Sequence, residues 1–557
     1  MKKIFALLSF LAMPGAMVLA QMDNVVVVED TYTPTVKDSK KIDVLPKAEE
    51  SKTTHYKVEY SNKTMPTASY PDEATETDSL GERSKNNFIA IGGGTHGQLL
   101  GKAHVMYERN ENLPDFYNVF FSGFNGKVSN QASSLDKWKS RFYSLNAQLE
   151  INQKIIDDCT LTASAGWESR VFNYQPTLLS PQPSVITPLT DKQHENFANV
   201  EAELSELTFG KYTLEAYLGF MLYKQKYVTT LEDEIDEKII EAELDNRFDI
   251  SDNHSVGLDI CYGRQWYNNA RIDNVWCTDF MPHYNFSNDQ WDIQLGAYIC
   301  TTFSESPSIA PDCSIAFHLD RNTDIYAEAS GGETGPYLRD IARLHPYWAY
   351  AAPGEDDDNL CPDSEWDALK AKVGVRFSPV KNLTVDINGG YEIQDNRIEF
   401  ITDDMGSTNH YVQAEYGDGK HTYLNLDVAY KYGNLLDITL CNQYNKWTTN
   451  IFDDEDGVSE DGRELTWRPE LNLCWNASIN ILKGLKLGID WQLQTFGKDK
   501  YYERPVTCDL GASLTYTFGN RISVFAKGQN LLSQDYDRML QYRALPASAI
   551  IGIAATF

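Results

Sequence analysis

The side chains that could carry chemistry are scattered. Nine cysteines, Cys159, Cys261, Cys277, Cys300, Cys313, Cys361, Cys441, Cys474 and Cys508, show none of the paired short spacings of a zinc site. Several fall inside strand-like patterns, where a cysteine serves as a small packing residue. An oxidising compartment also allows a cross-hairpin disulfide, for instance Cys300 with Cys313. The histidines occur singly, and there is no Gly-x-Ser-x-Gly elbow, no His-Glu-x-x-His pair and no phosphate-cradling glycine loop. No catalytic, cofactor-binding or metal-ligating residue is therefore singled out, and a hydrolase assembled from distant strands is only a remote alternative.

Carboxylates are the commonest reactive groups. The runs Glu355–Asp358 and Asp453–Asp456 offer oxygen ligands of the kind Ca²⁺ prefers, but neither fits a twelve-residue calcium loop, and both read as solvated loop faces. Asp386, Asp427, Asp490 and Asp509 recur within alternating segments, where they either line a ligand path or supply ordinary polarity to a wet interior. With 80 acidic against 49 basic residues and a net charge of −31, nucleic acid is a poor partner.

The elements that hold these groups are strands. Leu471, Leu473, Trp475, Ala477 and Ile479 take one parity and Asn472, Cys474, Asn476 and Ser478 the other. Leu485, Leu487, Ile489 and Trp491 oppose Lys486, Gly488, Asp490 and Gln492. Leu510, Ala512, Leu514, Tyr516 and Phe518 oppose Asp509, Gly511, Ser513, Thr515 and Thr517. Such runs reach the roughly 9 to 11 residues of a tilted membrane-crossing strand, with a polar face suited to a lumen. Similar patterns from Asn87 onward give an all-β antiparallel transmembrane barrel of about 22 strands.

Connection lengths test that count. Short links at Asn110–Pro114, Lys154–Asp158, Thr208–Lys211, Pro379–Asn382, Lys483–Gly484 and similar positions alternate with long ones, and only the first hairpin, around Gly97–Gly101, is short where a long loop is expected. The long ones include Gly126–Ser140, Gln175–His194, Gly331–Pro362, Asn396–Lys420, Thr448–Arg468 and Leu531–Ala547. Short periplasmic turns and long outer loops produce this alternation, and it leaves both barrel ends on the periplasmic side.

Three segments are expected. Residues 1–20 read as a signal peptide, with Lys2 and Lys3 before an apolar core and Val18-Leu19-Ala20 before Gln21. Residues 21–86 read as a polar periplasmic extension. Residues 87–557 form the barrel. Within the extension, Val25–Thr31 could add as a strand to another protein's sheet edge or pair with Lys57–Tyr60 of its own chain.

The C-terminus carries a resemblance. Phe525-Ala526-Lys527-Gly528-Gln529-Asn530-Leu531-Leu532-Ser533-Gln534, then Tyr536 and a last strand ending in Phe557, resembles the end of TonB-dependent receptors, in which such a motif closes a 22-strand barrel. Val25–Thr31 likewise resembles the TonB box by which those receptors meet their energising complex. The resemblance implies ligand or nutrient uptake across the outer membrane, with outer-membrane lipid, the barrel assembly machinery and a TonB-type complex as partners. The segment 21–86 is too short for the folded plug domain of that family, so a plug-less or truncated-plug relative is expected. The alternative is a non-energised structural or assembly barrel holding a lumen or periplasmic partner. If the lumen closes, the long loops Gly331–Pro362 and Asn396–Lys420, with Tyr337, Tyr347, Trp348, Tyr350 and Tyr411, are expected to fold inward together with part of the extension.

Overall fold

The computed structural model describes residues 87–557 apart from 111–112, 130–136, 157–158, 174–191, 226–234, 269–273, 303–306, 335–336, 349–363, 402–411, 453–462, 499–502, 520 and 541. The signal peptide, the extension and its valine run lie outside the described residues, as do both acidic runs, Tyr350, Tyr411 and Cys361.

The first strands are β1 (Phe88–Gly94), β2 (Leu99–Asn110), β3 (Leu113–Ser129), β4 (Lys137–Ile156), β5 (Cys159–Phe172), β6 (Gln193–Phe209) and β7 (Tyr212–Gln225). Next come β8 (Ile235–Ser251), β9 (His254–Tyr267), β10 (Val275–Ser287), β11 (Trp291–Thr302), β12 (Ser308–Asp320), β13 (Thr323–Thr334) and β14 (Glu365–Val380). The series ends with β15 (Leu383–Ile401), β16 (Gln413–Tyr432), β17 (Leu436–Thr449), β18 (Pro469–Leu482), β19 (Leu485–Phe496), β20 (Thr507–Phe518), β21 (Ile522–Gln529) and a closing strand, Ser548–Thr556.

Together they make one 22-stranded sheet. Each strand pairs antiparallel with its neighbour in sequence, and β1 pairs with the closing strand from Phe88↔Thr556 to Gly94↔Ile550. Closure removes both free edges, whose unpaired backbone groups would otherwise face lipid.

Register fixes which way each residue faces. Trp475 lies opposite Trp491, which lies opposite Leu510, while Asn476, Asp490 and Gly511 form the adjacent row. One row is apolar and faces out; the other is polar and faces the lumen. Leu424, Leu514, Phe518 and Ile551 are 56%, 45%, 53% and 65% exposed, which marks them as the lipid-facing band. On the lumen side, Asn425 donates to Asn388 at 3.0 Å and Gln492 to Asn472 at 3.4 Å.

The loop alternation is borne out, with tight turns at one end and long connections at the other, except at the first hairpin, where the tight turn Thr95–Gly97 joins β1 to β2 at the long-loop end. Gly433 and Gly484 sit in two of the turns at φ +53° and +82°, left-handed conformations that a side chain would strain. Strands at the long-loop end run further than the alternation suggested. β15 continues to Ile401 and β16 begins at Gln413, so most of Asn396–Lys420 is strand rather than loop. Likewise β13 continues to Thr334, and a short helix follows at Leu338–Leu344. At 19 and 20 residues, β15 and β16 exceed what a bilayer needs and stand above it.

The disulfide between Cys300 and Cys313 does not form, and both thiols are free. Cys300 lies opposite Ser308 and Cys313 opposite Leu295, so the two cysteines face opposite sides of the wall. Cys441 and Cys474 do share the lumen face, directly opposite one another on β17 and β18.

Candidate functional site: the lumen mouth

The site is built around the helix Leu338–Leu344. Leu338, Ile341 and Ala342 form one apolar stripe, with Asp340 in the first turn and Arg343 in the last, where each suits the helix dipole. Seven residues are too few to hold a helix in water, so its stability comes from docking.

The docking begins at the helix N-terminus. Glu237 of β8 accepts from the backbone N–H of Leu338 at 2.9 Å and of Arg339 at 3.4 Å, satisfying two of the donors that a helix start leaves open. Tyr337 donates its hydroxyl to Glu241, and burial, with the Glu241 charge beside it, holds that phenol in the protonated form, well above its usual range. Arg343 bonds Glu168 at 3.0 Å, and both Arg339 and Arg343 lie over the Phe197 ring, at 4.8 and 5.2 Å. The helix is therefore bolted to the wall formed by β5 to β8.

Leu338, Ile341 and Ala342 pack in one buried cluster with Tyr223 of β7, Trp348, Ile398 and Phe400 of β15, Val412 and Leu540. Trp348 bridges Val412, and the Val412 N–H donates to the Tyr347 carbonyl at 3.2 Å. A second cluster joins Val128, Trp138, Phe142, Phe172, Tyr347, Met539 and Tyr542, with Tyr347 and Tyr542 stacked at 3.6 Å. These clusters connect β3 to β7 with β15 and with the connection after β21. An apolar core thus crosses the barrel at its long-loop end, with segments of the loops after β13 and β21 turned inward.

Buried polar groups hold the remaining chain. His345 bonds the Leu540 carbonyl through Nε2 at 3.2 Å, and burial, aided by the Arg504 charge, drives its pKa down to about 3. Arg504 donates to the carbonyls of Trp467 at 3.0 Å and Asp537 at 2.9 Å and lies 3.8 Å over the Phe496 ring. Burial pulls its pKa down to about 9, leaving it charged at neutral pH. At the end of β15, Glu399 receives Arg397 and Arg468, the latter at 2.7 Å, together with the Trp467 indole at 2.6 Å. Glu399 and Arg397 are fully buried.

Asn530, the first residue of the C-terminal motif after β21, explains that motif in physical terms. It adopts φ +46° and ties the connection together by donating to the carbonyls of Gln534 and Leu545, each at 2.9 Å. Asp509 accepts from the Asn530 N–H at 3.0 Å and from the Tyr536 hydroxyl at 2.8 Å.

Beneath this core is a cavity of about 420 Å³ against the lumen wall of β17 to β21. Asp437, Lys486, Asp490, Asp509, Lys527 and Arg504 line it with charge of both signs. Two of the four anticipated lumen carboxylates, Asp490 and Asp509, thus meet at one cavity. Asp386 is instead held by Tyr326 at 2.7 Å and Arg376 at 2.8 Å, with Asp427 opposite it on β16. The sequence reading missed Glu237, Glu399 and His345; their only signal is a polar residue near a strand end or inside a loop.

No protein-family model matches the sequence, and no curated protein matches it. Solved structures match the fold. The FrpB iron transporter from Neisseria meningitidis aligns with TM-score 0.63 and 10% identity over 85% of this chain and 81% of that one. The ferric enterobactin receptor from Pseudomonas aeruginosa aligns with TM-score 0.62 and 11% identity over 85% and 80%. The copper transporter OprC gives TM-score 0.59 and 10% identity over 85% and 80%. The TonB-dependent-receptor-like barrel expected from the C-terminal motif is the fold found.

Proposed function

We propose that this chain is an outer-membrane uptake receptor, with the long-loop end outside the cell and the described inward loops serving as its gate. The observation that carries the reading is the apolar core across the mouth above a charged cavity. A purely structural barrel needs a stable wall, but a movable closure over a polar compartment is what a transport path needs. The iron, siderophore and copper carriers named above support uptake of a small charged solute or chelate. Opening by a TonB-type complex acting through Val25–Thr31 is part of the proposal.

Planar-bilayer recording tests it. Purified protein should give little steady conductance, and replacing residues 335–364 by a short linker should open a large one. A large conductance in the intact protein, unchanged by that replacement, rules out the loop as gate. If the conductance behaves as expected, deletion of Val25–Thr31 should abolish solute uptake in cells while leaving the barrel inserted. Uptake that survives the deletion removes the energised part of the reading.

A further inference from the structure

On the lumen wall away from the cavity, sulfur and carboxylate ligands converge. Register places Cys261, Asp279 and Cys300 side by side across β9, β10 and β11, with Cys277 in the next lumen row on β10. The ligand atoms of Cys277, Asp279 and Glu333 all lie within 4.8 Å of one another. Cys300 points its thiol at Glu333, Sγ to Oε2 2.6 Å, and so borders the same group.

Glu333 reaches this group by a break in the β13 ladder. Tyr326 and Glu328 face the lumen, where they meet Asp386 and Lys372, while Ile325 faces out. By that alternation Glu333 would face out too. The ladder slips between Ser330 and Gly332, where β14 carries one residue more than β13 between Lys370 and Asp367, and beyond that bulge Glu333 turns inward to Cys300. Gly332 permits the slip with φ +144°, and any side chain there would sit 3.1 Å from the Tyr298 ring. Tyr298 in turn donates to Asp279 Oδ2 at 2.5 Å.

One atom in the group lacks a partner. Asp279 is 8% exposed, and its Oδ1 is fully buried with no hydrogen bond among the described residues. Neither Asp279 nor Glu333 forms a salt bridge with Lys or Arg among them. A buried carboxylate with no stronger donor than the Tyr298 hydroxyl and the weak Cys300 thiol, and with no counter-charge, is costly unless a cation completes it.

The geometry points to a binding site for a divalent late-transition-metal cation of the zinc class, held by Cys277, Asp279 and Glu333 with Cys300 available as fourth ligand. Thiolates disfavour the hard, oxygen-seeking Mg²⁺ and Ca²⁺. Zn²⁺ takes four such ligands, with bond lengths that place neighbouring donor atoms roughly 3.6 Å apart, so the present group needs to contract by only about 1 Å. Binding would release the thiol protons to solvent. The site lies at the root of the inward loop, since Glu333 is only a few residues before the helix Leu338–Leu344. A bound ion would therefore pin that root to β10 and β11.

The test uses metal-stripped, full-length protein in detergent, titrated with Co²⁺ as a coloured stand-in for Zn²⁺, and does not depend on transport. We expect one Co²⁺ per chain with thiolate-to-metal charge-transfer absorption, displaced by Zn²⁺. Cys277→Ser and Asp279→Asn should each weaken binding at least tenfold, and Cys441→Ser should leave it unchanged. Absence of the absorption, or its persistence in both site variants, overturns the proposal; loss in Cys441→Ser alone assigns the ion to the Cys441–Cys474 pair and overturns it too. Should a variant fail to form a heat-resistant barrel, the wild type still decides. Zn²⁺ should slow alkylation of Cys277 about tenfold and leave Cys441 unaffected, whereas equal rates with and without the ion refute the site.

Discussion

At the residue scale, two groups hold the mouth by charge state. His345 is neutral when docked, with its pKa lowered from 6.5 to about 3 by burial. An undocked loop takes up a proton near its ordinary value while the docked one does not, so this histidine's contribution to docking is fully present above pH 6.5 and is lost as pH falls from there toward 3. Acidification from pH 7 to 4 should expose Trp348, now 1% exposed, as a red shift in its fluorescence. His345→Gln should flatten that response; an unchanged profile in the variant would acquit this histidine. Glu399 makes the second case. Converting it to Gln takes from buried Arg397 and Arg468 the carboxylate both are paired with, at a cost of about 3–5 kcal/mol in a denaturant titration. Replacing all three by Met, Leu and Met should cost less than the single change, since the desolvation penalty goes with the charges. None of this was legible in the chain. Arg397 and Glu399 share a parity, but nothing local announces that Arg468, some seventy residues later, completes the group.

The element scale is where the sequence was most informative. Alternation in Leu471–Phe518 specified strands, faces and pairing, because a strand's period of 2 leaves one choice of lumen side once the other faces lipid. Leu424→Arg or Leu514→Arg should therefore cost roughly 2–4 kcal/mol of barrel stability, while Thr439→Arg, into the charged cavity, should be better tolerated. Equal losses measured by unfolding in lipid would contradict the face assignment. Alternation was a poorer guide where it breaks. The backbone leaves regular strand geometry at Gly332, φ +144°, and Glu333 just beyond it meets Cys300, so a parity count sends that carboxylate into lipid and hides the cysteines it meets. The helix Leu338–Leu344 was equally hidden, being too short to show periodicity and stable only against the wall.

At the scale of the whole molecule, the wall and its mouth differ in how far their contacts reach along the chain. Neighbouring strands zip through local hairpins, but closure joins Gln98 to Gln529, 431 residues apart. The mouth core needs still more. It draws on Tyr223, Phe400 and Leu540, which come together only after the sheet has curled shut. Contacts that span most of the chain carry a large loop-closure cost and form late. Assembly therefore has an order: the wall first, the seal second. Refolding into dye-loaded vesicles should show strand signal rising ahead of Trp348 burial, with dye escaping only in the interval between them. Simultaneous signals and no leakage would contradict this order. A cell that makes such a chain must therefore pass each copy through a brief open state, and whatever delivers the barrel to its membrane has reason to hold the pore covered until the last connection has folded in.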